Sequence, residues 1–305
     1  MRKNSVWLLV LLAFLCNGIP LRADGELPRS QATLVAKAKK GKGGAKSKKK
    51  PPLRLDKREV QKKRDLKDNV HSYRDQVWIT RIPMVDQGQE PTCAIATIQR
   101  VLCYFTESPG NKPPISSEAL KKRLGYSKKR GTNVGEMLEA LRRNASGLHL
   151  NCEELYAINM TEKAMLQAYN RYVEHKNAKG KKVSISTKKA DKDVKIEDYV
   201  GKIDYSLWRR MRCHELDEGR KQVWRRVRES IDRGIPVLWS VELGLYAEKG
   251  LKQKGGGHMR LIVGYDKNPE KVFYSDSWGF GHDKKEMPWD DAWAITTNML
   301  VLKPR

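Results

Sequence analysis

The stretch "MVDQGQEPTCAIATIQRVLCYF", residues 84–105, places a cysteine where a turn gives way to an apolar helix. Gly88 and Pro91 are typical of a turn, and a proline keeps the residue before it out of the helical conformation. After the cysteine, apolar residues recur at helical spacing: Ala94, Ile98, Val101, Leu102 and Phe105. We therefore predict a buried helix that begins near Cys93.

The predicted position of Cys93 favours a reactive thiol. Thr92 is the expected N-cap, and a thiol at the start of a helix feels the positive end of the helix dipole, which favours the thiolate. The alternative is that Cys93 is a small apolar residue of the core, which is the usual environment of a free cysteine. This stretch alone does not decide between the two.

A nucleophilic cysteine needs a base within hydrogen-bond reach, and the base needs a group that orients it. His258 follows the glycine run "KGGG", which leaves room for close approach, and begins the strand-like "HMRLIVGYD". Asp276 lies near the end of the next strand, "KVFYSDSWG". A turn centred on Lys267 predicts that His258 and Asp276 are directly opposite in an antiparallel hairpin, with both side chains on one face. Either residue alone could be structural, but their facing positions favour an imidazole–carboxylate pair.

Gln87 is a candidate for stabilising an oxyanion. It precedes Cys93 by six residues on the predicted turn, and its amide could donate to the oxygen that becomes charged when a thiolate attacks a carbonyl. The backbone N–H of Cys93 would be the second donor, because the first N–H groups of a helix have no partner within it. Gln89 remains the alternative to Gln87.

Three segments, "QGQEPTCAIA", "GHMRLIVGYD" and "YSDSWG", occur in the order of the motif blocks of papain-like cysteine peptidases. The chain most resembles the bacterial branch that is similar to the bacteriocin (double-glycine) leader peptidases. The resemblance covers residues 77–302, with a poor match at 150–215. It implies an α+β fold in which a helical half carrying the cysteine packs against an antiparallel sheet half carrying the histidine and the aspartate.

The resemblance also implies roles for the site residues. Cys93 would be the nucleophile, His258 the base, Asp276 the orienting group and Gln87 the oxyanion glutamine, while Trp278 would shield the His–Asp bond from water. It implies a peptide or protein substrate and neither a metal nor an organic cofactor. The chain departs from papain in having Ala and Ile after the cysteine and Asp as the third member. Because leader peptidases work on a transporter, which this chain lacks, their substrate is not carried over.

Two other functions remain open at this stage. A transglutaminase-like acyl transferase would also use Cys, His and Asp in this order, although "HMRLIVGY" lacks the aromatic residues expected after the histidine there. A non-catalytic protein of the cell envelope would act through its basic N-terminal arm. Intact Gln87, Cys93, His258 and Asp276 argue against an inactive enzyme.

The first residues predict export and a basic arm. Two positive charges, an apolar run and a small residue at Ala23 are typical of a secretory signal peptide over residues 1–23. Residues 24–69 are predicted to be a disordered arm, since the part from 36 to 68 holds 15 Lys or Arg against 4 Asp or Glu and few apolar residues. Such an arm could bind an anionic polymer or the cell envelope, or be a solvated spacer. No groove-reading motif accompanies it, so we do not expect nucleic acid as a partner, nor a membrane span once the signal is removed.

The remaining sequence, residues 70–305, is predicted to be the peptidase domain. "VWITRIPMV" alternates like an edge strand, helices follow, and residues 177–203 are predicted to be an insertion or a long loop. Strands dominate the last part. Helices first and strands last indicate the α+β class.

Four cysteines would remain after removal of the signal peptide: Cys93, Cys103, Cys152 and Cys213. Cys103 lies ten residues beyond Cys93 on the same predicted helix, about 15 Å away and on another face, so we assign it to packing. An exported protein can form disulfides, and Cys152 with Cys213 is the one pairing we suggest.

Overall fold

The computed structural model describes residues 53–55, 66–106, 112–128, 131–178, 180–216, 219–249, 251 and 253–305. All of them belong to one compact unit, Lys50–Arg305. The predicted signal peptide, residues 1–23, lies outside the described residues, as does most of the predicted arm.

The described parts of the arm region pack on the domain, which differs from the predicted boundary at residue 69. Leu53, Leu55 and Leu66 are buried, and the backbone N–H of Leu55 donates to the carbonyl of Gly147 at 2.8 Å. Isolated leucines in a Lys-rich segment give no periodic signal, yet each can fill an apolar site of the domain. Ordered chain therefore begins before Val70, where the first strand starts.

The described helices are α1 Cys93–Thr106, α2 Ser117–Arg123, α3 Val134–Asn144, α4 Glu162–His175, α5 Tyr205–Arg210, α6 Arg220–Ile231 and α7 Trp289–Ile295. Side-chain caps start several of them: Ser116, Asn133 and Thr161 each accept a hydrogen bond from a backbone N–H of the first turn. Among the described residues, no helix combines the length and the apolar character that crossing a membrane requires.

The described strands are β1 Val70–Tyr73, β2 Gln76–Ile79, β3 Tyr126–Ser127, β4 Gly131–Thr132, β5 Leu150–Ala157, β6 Val237–Leu243, β7 Gly256–Lys267, β8 Glu270–Ser275, β9 Lys285–Pro288 and β10 Thr296–Pro304. Eight of them form an antiparallel sheet in the order β1-β2-β7-β6-β10-β5, with β8 pairing β7 and β9 pairing β8. Strand β7 is the longest and pairs with β2, β6 and β8.

Helix α1 packs against β7, which brings the cysteine helix to the histidine strand. The Thr97 hydroxyl donates to the carbonyl of Met259 at 3.3 Å, and the Tyr104 hydroxyl donates to the carbonyl of Gly234 at 2.9 Å. Apolar residues of α1 and of the sheet share one core. The predicted α+β class, with the Cys93 helix packed on an antiparallel sheet that carries His258, is thus confirmed.

Two details of the predicted chain order are wrong. The stretch predicted as an edge strand forms β2, which lies between β1 and β7, so the edge is β1. Strand β5 lies between helices α3 and α4 in the sequence and pairs with β10. Strand β5 is partly exposed along its length, and its sequence "LNCEELYA" does not alternate cleanly between apolar and polar residues. A prediction from periodicity therefore does not identify it as a strand.

The predicted insertion at 177–203 is irregular chain with two 3₁₀ segments, Asp191–Asp193 and Ile196–Lys202. The second segment buries Ile196 and Tyr199 and lies against the start of β7. Gly256 there has φ +142°, and a side chain on it would meet the Glu197 carboxylate at 3.1 Å. The glycine run before His258 therefore provides the room for close approach that its sequence predicts.

Candidate active site

Cys93 is the first residue of α1, and hydrogen bonds stabilise the turn that precedes it. The N–H of Ala96 donates to the carbonyl of Thr92 at 2.9 Å, which is the first bond of the helix, and the Thr92 hydroxyl donates to the carbonyl of Gln87 at 3.2 Å. The apolar side chains that follow are buried and fix the direction of the helix. The cysteine therefore stands at the positive end of a 14-residue helix.

His258 lies on β7, directly opposite Val241 of β6. It is buried, with a relative exposure of 7 %. Its Nε2 lies 2.9 Å from Oδ1 of Asp276. The other ring nitrogen, Nδ1, is therefore the one left to interact with Cys93, whose pKa is lowered by His258.

The structure brings Asp276 to His258 by a register that differs from the predicted one. The hairpin closes with Lys267 opposite Glu270, and a bulge at Val263 shifts the pairing so that Leu261 is opposite Ser275. Asp276 follows directly, so Arg260 and not His258 is its nearest counterpart across the hairpin. The prediction was wrong by two residues along β7, and because side chains alternate with a period of two, His258 still faces the same side.

Burial and mutual contact together set the ionisation of the Cys93–His258 pair. Burial raises the pKa of Cys93, but the contact with His258 outweighs burial, and the net pKa lies below the ordinary value of 9.0. Burial lowers the pKa of His258, but its bonds to Asp276 and Cys93 outweigh burial, and its net pKa is raised. Both shifts favour a thiolate beside an imidazolium.

Asp276 is fully buried and ionised. Burial raises its pKa, but the hydrogen bond to His258 and the charge of Arg260 outweigh burial and lower the pKa of Asp276 to about 2. The carboxylate therefore presents a full negative charge to the imidazole at pH values well above 2.

Trp278 covers the histidine. The rings of Trp278 and His258 are stacked with their centroids 4.5 Å apart and 21° between their planes. The resemblance to papain-like peptidases implies a role for Trp278 at the bond between His258 and Asp276.

Gln87 forms hydrogen bonds with Ser277, the residue after Asp276. Its backbone N–H donates to the carbonyl of Ser277 at 2.9 Å, and the Ser277 hydroxyl donates to its amide oxygen at 2.7 Å. Its amide nitrogen donates to the carbonyl of Glu90 at 3.2 Å, and since that nitrogen carries two hydrogens, one remains for another acceptor. Gln89 is exposed. The contacts with Ser277 thus hold Gln87, and not Gln89, beside the segment that carries Asp276.

Comparison with known proteins identifies the group to which this site belongs. The family model described as Peptidase C39-like matches residues 79–300, a range that contains Cys93, His258 and Asp276. The chain belongs to the Peptidase C39-like family. It is therefore a cysteine peptidase, which confirms the predicted resemblance to the papain-like superfamily.

Two solved structures are similar to this C39-like peptidase. A chain from Bacillus anthracis described as a C39-like peptidase has 11 % identity and a TM-score of 0.38, over 75 % of this chain and 98 % of that one. Xylellain, a cysteine protease from Xylella fastidiosa, has 13 % identity and a TM-score of 0.39, over 83 % and 92 %. No curated protein matches the chain.

Sequence reasoning missed the charged groups that surround Asp276 in the peptidase. Arg260 Nε donates to Asp276 Oδ1 at 2.8 Å, and Lys285 Nζ lies 3.3 Å from the other carboxylate oxygen. From α1, Arg100 donates to the carbonyl of Asp276 at 2.9 Å and to the Ser275 hydroxyl at 2.6 Å. A signal for Arg260 was present, because an arginine within the apolar run "HMRLIVGY" must find a partner when the strand is buried.

The other three cysteines are free thiols, so the suggested disulfide between Cys152 and Cys213 is wrong. Cys152 lies on β5 opposite Leu302, whereas the Cys213 thiol donates to the carbonyl of Asp290 at 3.5 Å. Burial raises the pKa of both thiols, and that of Cys103, to about 11. None of the three has the lowered pKa of Cys93.

Among the residues that the structure describes, no three His, Cys, Asp or Glu side chains are grouped so that they could hold a metal ion. The site that the structure describes is made of protein groups. These are one thiol, one imidazole, one carboxylate and the N–H donors around them.

Proposed function

We propose that this peptidase hydrolyses peptide bonds with Cys93 as nucleophile, His258 as general acid and base, and Asp276 as the orienting group. The observation that carries the proposal is the buried His258, whose Nε2 lies 2.9 Å from Oδ1 of Asp276 and whose interaction with Cys93 lowers the pKa of that thiol. Such an arrangement is the activated nucleophile of covalent acyl transfer.

Acylation follows from the ionised pair. The Cys93 thiolate attacks the carbonyl carbon of the scissile bond, and the carbonyl oxygen becomes an oxyanion. Collapse of this intermediate breaks the C–N bond, and the His258 imidazolium gives its proton to the leaving amine. The products of this half-reaction are the free amine, a thioester on Cys93 and a neutral imidazole.

Deacylation restores the enzyme. The neutral imidazole of His258 takes a proton from water as the water attacks the thioester carbonyl. The thiolate leaves, the acid product is released, and His258 is again an imidazolium beside the thiolate. Asp276 keeps Nδ1 directed at the sulfur throughout, because it holds Nε2.

In this proposal the oxyanion accepts hydrogen bonds from the Gln87 amide and from the backbone N–H of Cys93. The second hydrogen of the Gln87 amide nitrogen and the position of Cys93 at a helix start support this assignment. Trp278 then acts as the shield of the His258–Asp276 bond, which its stacking on the imidazole supports.

We further propose that the peptidase is exported and that residues 1–23 are removed, as their sequence predicts. The N-terminal sequence of the mature protein from its native host tests this. Export predicts that it begins shortly after Ala23, and a mature chain that starts at Met1 would contradict it.

The basic segment 36–68 is proposed to contact an anionic polymer or the cell envelope. Raising the salt concentration should release the protein from such a surface, since exposed charges are screened beyond about 8 Å at physiological ionic strength. Hydrolysis of small peptides should be unchanged by the same salt. Retention at high salt, or equal retention of a variant that lacks residues 36–68, would contradict the proposal.

The peptidase assignment is tested on a defined peptide mixture with mass spectrometry of the products. The wild-type protein should give fragments that together gain one water per cleavage, and Cys93→Ala should give none while it unfolds at a similar temperature. Cys152→Ala is the matched control and should retain cleavage. Cross-linked or amidated products would instead indicate acyl transfer to an amine, and cleavage by Cys93→Ala would refute the assignment.

A further inference from the structure

Arg260 is a charged residue in the interior of the fold, directly behind the site. It belongs to β7, two residues after His258, and it is fully buried. A buried guanidinium cannot lose its proton, so it is stable in the interior only if anions compensate its charge. The carboxylates that pair with Arg260 therefore indicate its role.

Two carboxylates compensate Arg260. Its Nε donates to Oδ1 of Asp276 at 2.8 Å, which is the same oxygen that His258 contacts. Its Nη2 forms an ion pair with Oε1 of Glu248 at 2.7 Å. Arginine presents several donors in a rigid plane, so one side chain can fix two carboxylates at a set angle, which lysine cannot do.

Glu248 is held beside Arg260 by contacts with other residues. It lies in the loop between β6 and β7 and is 9 % exposed. The Tyr274 hydroxyl donates to its Oε2, and the Gln253 amide donates to its Oε1 at 2.9 Å. The Tyr274 ring also lies beneath the Arg260 guanidinium, 4.7 Å from its carbon. These contacts hold the carboxylate against the arginine.

The charges alternate from one interaction to the next: thiolate of Cys93, imidazolium of His258, carboxylate of Asp276, guanidinium of Arg260 and carboxylate of Glu248. Arg260 alone would weaken the attraction of Asp276 for the imidazolium, because it competes for the same oxygen with a like charge. Glu248 offsets that charge. The pair Arg260–Glu248 can thus fix Asp276 without depriving His258 of its negative partner.

We propose that Arg260 and Glu248 are positioning residues that hold Asp276 against His258, and that Glu248 keeps the charge of Arg260 from lowering the upper pH limit of the Cys93–His258 ion pair. This inference rests on the proposed function of the site. Neither residue touches the reacting atoms, and both act through Asp276.

Other titratable groups face the same network and stay constant in the experiment: Arg100 from α1, Tyr274 from β8, His282 and Asp283 from the loop after β8, and Lys285 from β9. Lys285 Nζ also lies 2.9 Å from Nδ1 of His282. The test therefore leaves these groups unchanged and removes the charge of Glu248, the partner of Arg260 that does not contact His258.

The variant is Glu248→Gln in the full chain, and the readout is the pH profile of Cys93 modification by iodoacetate. This reagent is an anion, so it reacts fastest where the thiolate lies beside an imidazolium and slows when His258 loses its proton. Without Glu248, Asp276 has to compensate both Arg260 and His258, which disfavours the imidazolium. The alkaline limb should then move to lower pH by on the order of one unit.

Gln253→Ala is the matched control, because it removes a neutral hydrogen-bond partner of the same Glu248 oxygen and no charge. Its alkaline limb should coincide with that of the wild type. An unshifted limb in folded Glu248→Gln, or an equal shift in Gln253→Ala, overturns the inference and leaves the peptidase assignment intact. A wild-type profile with no alkaline limb overturns both.

If Glu248→Gln does not fold, the double variant Arg260→Gln/Glu248→Gln replaces it, since it leaves no buried charge unpaired. Its alkaline limb should stay near that of the wild type, while the maximal modification rate falls about tenfold because Asp276 is no longer fixed. An unchanged maximal rate in this variant overturns the inference.

Discussion

The two cysteines of helix α1 carry the same functional group in different surroundings. Cys93 starts the helix and touches His258, and its pKa lies below the ordinary value. Cys103 lies ten residues further along, and burial raises its pKa to about 11. Burial acts on both thiols in the same direction, so it cannot explain the difference. The lowered pKa of Cys93 comes from its own contacts, first among them His258 on β7, followed by the backbone of Met259 and Ala94.

His258→Ala tests this comparison with the largest expected effect. Without the imidazolium, burial is the main influence on Cys93, and its pKa should rise towards that of Cys103. Peptide hydrolysis should fall by on the order of a thousandfold or more, because the acid–base group is lost. His175→Ala changes an exposed histidine at the end of α4 and should leave the rate unchanged. A fall of less than tenfold in the rate of hydrolysis by His258→Ala would contradict the role assigned to His258.

Asp276→Asn should have the second-largest effect, about a hundredfold on the rate of hydrolysis. The amide keeps the shape of the side chain and removes the charge that raises the pKa of His258. The imidazolium would then be lost at lower pH, so the alkaline limb of the pH–rate profile should move down. A profile that keeps its alkaline limb in Asp276→Asn would show that another group controls His258.

Gln87→Ala should reduce the rate of hydrolysis by about ten- to a hundredfold, since it removes one oxyanion donor. Gln89→Ala, two residues away and exposed, is the matched control and should change the rate little. This pair of variants separates the two glutamines that the sequence left open. Equal losses in both variants would indicate a general effect on the turn before Cys93.

Cys103→Ala should have the smallest effect on the rate, which we expect to equal that of the wild type. The change removes a buried sulfur from α1 and should lower the free energy of unfolding by about 1 kcal/mol, measured by chemical denaturation. Loss of hydrolysis in a stably folded Cys103→Ala would mean that the two thiols are not separate in function.

The helix at Cys93 could be predicted from the sequence because its determinants are local. The turn residues before it and the apolar spacing after it lie within 22 residues, and the structure begins α1 at Cys93. The pairing of His258 with Asp276 could be predicted only as far as the shared face. The register depended on where the turn closes and on the bulge at Val263, and a single sequence reveals neither.

The parts that could not be predicted depend on contacts between distant segments. Glu248 lies in a loop, and nothing near it in the sequence indicates Arg260 as its partner. The buried Leu66 beside Gly234 has no periodic neighbours, so its segment resembles a solvated arm. The pairing of cysteines is likewise a property of the fold, and the suggested bond between Cys152 and Cys213 failed for that reason.

The most direct test of the central claim is the rate at which iodoacetamide modifies Cys93 and Cys103 in one sample as a function of pH, with each site followed by mass spectrometry. The lowered pKa of Cys93 predicts that its modification already proceeds at pH values below the ordinary thiol pKa of 9.0, at which an unperturbed thiol reacts slowly. Cys103 should remain unmodified until the pH approaches its pKa of about 11. Modification of Cys93 that follows the ordinary pKa of 9.0, or that rises only together with Cys103, would contradict the account.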